Sequence, residues 1–247
     1  MDKMPMPEVR ARIGFTAIAY VAEVFPKVFY QIVPEGVLLN LLTVQHVSSS
    51  KEAMARMHEE TLSHARSFAR AGCDVAFLGG SPTNLSQGWD HLRTILRQLE
   101  EEFGVRVSSS ATAQDKALHA LGARKVGVVH PFSSTGKERH ERHDEKLRGV
   151  GLTLVGCIGA GASYENYHLI PRNKAFELGV ALKRQSPDLD TILFGCPHWH
   201  VTDAIEPLEQ ELGINVVASI QAIAWEGMRL AGIKDQANGY GRLLREF

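Results

Sequence analysis

The side chain best placed for chemistry is Cys196, the last residue of the run Asp190-Thr-Ile-Leu-Phe-Gly-Cys196. An apolar run that ends in glycine and a polar turn reads as a buried parallel strand feeding a helix. A cysteine at that junction lies near helix-end N–H groups, which favour nearby negative charge. Its thiol can act as general acid, general base or nucleophile. The plainer reading is a buried, inert thiol. Cys157 closes another apolar run and Cys73 precedes a strand, and both read as structural. A second run, Asp74-Val-Ala-Phe-Leu-Gly-Gly80, repeats the pattern with glycine in place of the cysteine. It leads into Ser81-Pro-Thr-Asn84. There the amides of Gly80 and Ser81 and the hydroxyls of Ser81 and Thr83 can hold a carboxylate or oxyanion, whereas Pro82 contributes no N–H.

Histidines invite a different chemistry. Pro197-His-Trp-His200 follows the cysteine, with Asp203 beyond, and His46 and His130 could join them from other strands. A zinc site needs three or four convergent ligands, and no second cluster at ligand spacing supports one. These histidines therefore read as cleft-lining or solvated, with no metal expected. His140 and His143 fall on the charged face Lys137–Lys146, which reads as solvated. Gly156–Gly161 lacks the Walker lysine and the full dinucleotide fingerprint. It reads as a mobile loop carrying Tyr164 and Tyr167 towards the cleft.

The elements that position these groups come in two matching sets. Arg12-Ile-Gly-Phe-Thr16 matches Lys125-Val-Gly-Val-Val129, and Gly104-Val-Arg-Val-Ser-Ser-Ser110 matches Gly213-Ile-Asn-Val-Val-Ala-Ser219. Strands are predicted at Arg12–Ala17, Val37–Leu42, Val75–Leu78, Val105–Ser108, Lys125–Val129, Thr153–Cys157, Thr191–Phe194 and Asn215–Ala218. Helices are predicted at Ser50–Ala71, Gln87–Phe103, Ala111–Leu121, Gly136–Arg148, Pro171–Gln185, Val201–Leu212 and Ser219–Ala231, with Ser50 as an N-cap. Strand–helix alternation at this period implies α/β architecture: two pseudosymmetric doubly wound domains, each a parallel sheet flanked by helices. The division falls at residues 1–122 and 123–247, with the helix at 219–231 packing back on the first half. Ligands collect outside the carboxyl ends of such strands, so Gly80 and Cys196 should face one cleft between the halves.

Bulk properties fit a compact enzyme with a sizeable core: 247 residues and a net charge of −1 give no electrostatic reason to expect nucleic acid. Three widely spaced cysteines form neither a disulfide framework nor a zinc pattern, so a reducing, cytoplasmic setting is the simpler reading. The apolar stretch Ile13–Phe25 is too short for a membrane span and carries Glu23, and Met4-Pro-Met-Pro7 lacks a signal peptide's layout.

The Gly80 turn, Ala120-Leu-Gly-Ala-Arg-Lys-Val126, Cys196 with Asp203-Ala-Ile205, Arg229-Leu-Ala-Gly232 and Gly239-Tyr-Gly-Arg-Leu243 together resemble the aspartate/glutamate racemase superfamily. Within it the chain is most similar to the arylmalonate decarboxylases, and it also resembles maleate cis-trans isomerases. The resemblance implies two pseudosymmetric α/β domains, an active site between them, no cofactor and a small carboxylic acid as substrate. Racemases of this superfamily use two cysteines, one from each half; the decarboxylases keep only the second, with glycine at the first. Gly80 and Cys196 match the decarboxylase pattern, which implies loss of CO2 from a malonate-type diacid and proton delivery by Cys196.

Three family donors are changed. A tyrosine is Phe132, the second hydroxyl of a threonine–serine pair is Pro82, and the glycine after the cysteine is Pro197. Ser133, Ser134, His198 and Thr16 are the candidate replacements. Ile18, Tyr20, Leu39 and Leu41, with Tyr164, would shape the pocket. The alternatives are a maleate isomerase, a one-cysteine racemase assisted by His130 or His198, and a non-catalytic acid-binding protein. The expected partner is a small acid, with no nucleic acid and no membrane, in a monomer or homo-oligomer.

Overall fold

A computed structural model describes residues 8–45, 50–133 and 137–247. The first half runs β1 (Ala11–Ile18), α1 (Val24–Ile32), β2 (Val37–Val44), α2 (Lys51–Arg70), β3 (Val75–Leu78), the single turn α3 (Ser81–Asn84), α4 (Trp89–Phe103), β4 (Arg106–Ser109) and α5 (Ser110–Ala120). The second runs β5 (Lys125–Phe132), α6 (Lys137–Arg148), β6 (Thr153–Ala162), α7 (Asn173–Gln185), β7 (Thr191–Phe194), α8 (Ile205–Leu212), β8 (Asn215–Ala218), α9 (Ser219–Leu230) and α10 (Arg242–Glu246). Two 3-10 turns, Tyr167–Leu169 and Thr202–Ala204, lie within it.

All strand pairs are parallel, in the orders β2-β1-β3-β4 and β6-β5-β7-β8. The second order is the first with four added to each strand number, and the likeness extends to single hydrogen bonds. The Asp74 carboxylate accepts from the Arg12 N–H at 2.7 Å, and that of Asp190 from the Lys125 N–H at 2.9 Å. Glu100 accepts from the Val107 N–H at 2.9 Å, and Glu209 from the Val216 N–H at 3.4 Å. Strand-end amides need an acceptor when they lie beyond the ladder, and each half solves this with the same acids.

The halves are joined by helices. Helix α5 packs on α9, and α9 lies against the first sheet, where a Cβ on Gly227 would come within 2.9 Å of Ile13. One apolar core consequently runs through both halves, from Ile13, Phe15 and Phe25 to Val128, Leu193 and Ile223. A satellite core of Phe68, Leu78, Leu92 and Leu96 fills the space under α2 and α4. At the junction the buried Glu226 carboxylate accepts from the Ser108 hydroxyl at 2.9 Å and the Lys116 ammonium at 2.6 Å. Gln114 donates to the Ser219 hydroxyl at 2.6 Å.

Three features depart from expectation. The glycine-rich stretch Gly156–Gly161 belongs to strand β6 and is not a loop. Its partner β5 supplies the ladder, and its glycine lets α7 approach: a Cβ on Gly156 would lie 2.5 Å from the Ser186 hydroxyl. The end of the apolar stretch Ile13–Phe25 opens a separate helix, α1, which buries Val24, Phe25, Val28, Phe29 and Ile32. His143 is packed inward and not solvated, stacking on His130 with ring centroids 5.6 Å apart. Ser50 does cap α2, accepting from the Ala53 N–H at 3.2 Å. Among the described residues no helix is long and apolar enough to cross a membrane.

Replacing Glu226 by Ala strands the buried Ser108 hydroxyl and turns the half-exposed Lys116 ammonium out to water, at a cost of about 2 kcal/mol. Glu226→Gln keeps the Ser108 bond and should cost about half as much. Urea unfolding checks this: the midpoint should fall in that order with the slope unchanged.

Candidate active site at the facing strand ends

Strand β7 closes with the Gly195 N–H donating to the Val129 carbonyl at 3.0 Å, and the chain then turns through Cys196, Pro197 and His198. Cys196 is half-buried there. Burial pushes its thiol up to about 12, against the opposing pull of the His198 amide on the sulfur and of the Arg139 charge. Pro197 has no N–H, so the His198 amide takes the sulfur. The His198 ring itself is turned away from solvent, 5% exposed, between Phe15 at 6.2 Å, Phe25 at 6.1 Å and Tyr167 at 6.3 Å. Burial lowers its pKa to about 4, so the ring is neutral and fills the seam between the halves. The group of His198 that meets the thiol is its backbone, not the imidazole named from sequence.

Tyr167 crosses the same seam. Its hydroxyl donates to the Val21 carbonyl at 2.7 Å and accepts from the Val21 N–H at 3.2 Å, tying the segment after β6 to the turn after β1. Burial pushes its phenol up to about 12, and the neighbouring Cys196 acts in the same direction. Sequence reading carried Tyr167 to the cleft without a role.

In the first half, Gly80 sits in the left-handed region at φ 75° and precedes α3. A Cβ there would lie 2.4 Å from Ile18 Cδ1, so Ile18 covers the space a side chain at position 80 would use. A Cβ on Gly79 would lie 1.7 Å from the Thr16 carbonyl oxygen, which only glycine tolerates. Asn84 fixes the turn by donating to the carbonyls of Leu78 at 3.1 Å and Gly79 at 2.7 Å. Around this turn Thr83 is buried and Ser81 half-buried. Thr16 is fully buried, with its hydroxyl unpartnered among the described residues. Tyr20 is exposed after β1.

Leu39 and Leu41 pair with Ile13 and Phe15 in the middle of β2. At about 3.3 Å per residue, Leu39 stands roughly 16 Å back from the end of its strand, so the fold does not bring it to the cleft. Phe132 ends β5, its ring 4.2 Å from Tyr164 and 6.0 Å from Tyr167. Ser133 is exposed beside it. Ser134 and His46 lie outside the described residues.

Behind Cys196 lies a group that the sequence did not reveal. His130, His143 and Cys157 hold their ligating atoms within 4.8 Å of one another. Burial takes His130 to about 4 and His143 well below the ordinary range, and raises Cys157 to about 11, so all three are neutral. The charges of Lys146, Arg139 and Arg142 act on His143 from the same side. That field opposes a further cation despite the nitrogen and sulfur donors. Arg139 lies over the Phe132 ring at 4.8 Å. The i, i+4, i+7 spacing of Arg139, His143 and Lys146 on α6 was the sequence signal for an inward-facing stripe.

A groove of about 670 Å³ along Asp190, Glu209 and Arg242 lies at the opposite end of the second sheet. Its counterpart of about 380 Å³ along Asp74, Glu100 and Arg106 occupies the same place in the first half. Such repetition marks a feature of the architecture and not a site.

The sequence profile of the arylmalonate decarboxylase family matches residues 31–244. The arylmalonate decarboxylase of Bordetella bronchiseptica is 29% identical over 202 residues, covering 81% of this chain and 82% of that protein. A liganded arylmalonate decarboxylase, solved with a glycine changed to cysteine and a cysteine changed to serine, superposes with a TM-score of 0.85 at 25% identity. That match covers 96% of this chain and all of the other. The maleate isomerase of Pseudomonas putida S16 shares the fold, with a TM-score of 0.82 at 20% identity and coverage of 96% and 98%. Matched over most of its length, the chain belongs to the arylmalonate decarboxylase family.

Proposed function

We propose that the protein decarboxylates a malonate-type diacid without a cofactor, with Cys196 as the proton donor. The observation that carries this reading is a thiol at the end of β7, Cys196, with Gly80 at the matching end of β3. Its pKa, raised to about 12, suits a group that gives a proton away, whereas a nucleophilic thiolate needs a lowered one. Position 80 offers no second thiol, and Ile18 fills the space beside it.

The carbon–carbon bond to one carboxylate breaks, and CO2 leaves with the bonding pair left on the α-carbon. Apolar surroundings favour this step, because the charge of the departing carboxylate disperses as it goes. The pair delocalises into the remaining carboxylate as an enediolate. The first-turn amides of Ser81 and Thr83, which have no intrahelical partner, and the unpartnered Thr16 hydroxyl are the donors at hand. The thiol then transfers its proton to the α-carbon and takes another from solvent. Delivery from one side only implies a single enantiomer from a prochiral substrate.

Proton NMR in D2O with phenylmalonate and maleate tests the reaction. The wild-type chain should give deuterated phenylacetate, and Cys196→Ala should lose about 10²–10⁴-fold in rate. Fumarate formed from maleate, with phenylmalonate untouched, would replace the decarboxylase with an isomerase. The pH profile gives a second check. A raised thiol pKa keeps the proton in place below it, and His130 and His198 are already neutral, so kcat should be flat from about pH 6 to about pH 9. A rise in kcat towards pH 8 would make the thiolate the working form and overturn the proton-donor role.

A further inference from the structure

We infer that Arg139 is the anchor for a substrate carboxylate, and that the site selects acids that still carry a carboxylate after the reaction. The inference rests on the reading of Cys196 given above and adds the residue that holds its substrate.

Arg139 stands in the first turn of α6, and its guanidinium carbon lies 4.8 Å from the centroid of the Phe132 ring. A guanidinium over an aromatic ring can still offer N–H groups to the two oxygens of a carboxylate. Among the described residues no carboxylate stands within ion-pair distance of it. Other arginines with carboxylates nearby do pair: Arg148 with Asp144 at 2.9 Å, and Arg172 with Asp203 at 2.8 Å. Neutral and apolar groups lie near Arg139. They are His130 and His143, stacked on each other; Cys157; Phe132; and Tyr164, packed on Phe132. A cation is thus held over Phe132 with no counter-ion among the described residues, and its charge acts on Cys196.

The consequence is chemical as well as geometric. A carboxylate gripped here becomes the enediolate, whose added negative charge the guanidinium offsets, and the same charge stabilises the thiolate left after proton transfer. Phe132 contributes no hydroxyl of its own, so the donors above its ring are those of Arg139.

The test is titration calorimetry of phenylacetate, malonate and neutral phenylacetamide into the wild-type, Arg139→Gln and Arg139→Lys chains, with kcat and KM measured alongside for phenylmalonate. Arg139→Gln should weaken both acids by about 10–100-fold, leave the amide unchanged and raise KM, because an ionic contact to a buried carboxylate is worth about 1.5–3 kcal/mol. Arg139→Lys should recover part of the acid affinity, which a purely structural loss could not do. Equal acid affinity in wild type and Arg139→Gln would overturn the anchor. Acid binding that depends on Arg139, in a wild-type chain that leaves phenylmalonate unchanged, would retain the anchor and sink the decarboxylase reading. Decarboxylation with KM indifferent to Arg139 would do the reverse.

Discussion

Everything at the cleft depends on how helix α9 is seated. It belongs by sequence to the second half, yet it packs against the first sheet through Gly227 and pairs with α5. Two sheets whose strand ends must face each other to within a bond length cannot be held by a flexible tether. They need a shared core, and Ile13, Phe77 and Ile223 provide it. The polar contacts at the same seam set direction. Glu226 holds both Ser108 and Lys116, Gln114 holds Ser219, and shifting a helix along its neighbour would leave several of these groups unsatisfied.

On that frame the electrostatics are arranged by subtraction. Burial discharges the titratable groups around the thiol: His130 and His198 lose their protons, while Cys157, Cys196 and Tyr167 keep theirs. The charge that acts on the thiol is that of Arg139, on α6. A site built this way spends little field on itself, and an incoming anion meets Arg139 largely unscreened.

Much of this was legible in the chain. Strands β3, β7 and β8 fell at Val75–Leu78, Thr191–Phe194 and Asn215–Ala218 because glycine and aspartate punctuate short apolar runs there. The Gly80–Cys196 asymmetry was visible because the flanking residues repeat. Helix α1 was missed because its buried positions 24, 25, 28, 29 and 32 begin inside an apolar stretch continuous with β1, where strand and helix periods overlap. Strand β6 was predicted at Thr153–Cys157, but its glycine-rich second half was misread because glycine has little preference for strands, and its ladder is supplied by a partner chosen in three dimensions. Arg139 and His143 were hidden for a related reason. Helix α6 is so polar that its inward stripe carries no apolar signal before Leu147. The His198 ring stood next to the cysteine in sequence, but proximity in the chain did not settle which of its groups would meet the sulfur.

The Tyr167 phenol bonds both the N–H and the carbonyl of Val21, as a neighbouring strand would. It therefore works as a rung between the halves rather than a prop. Separating them at this point breaks both bonds together, with no half-open position in which one of them is satisfied. The width of the cleft is thus pinned at Val21 by a single side chain, and parting the halves there leaves both backbone groups of Val21 to water.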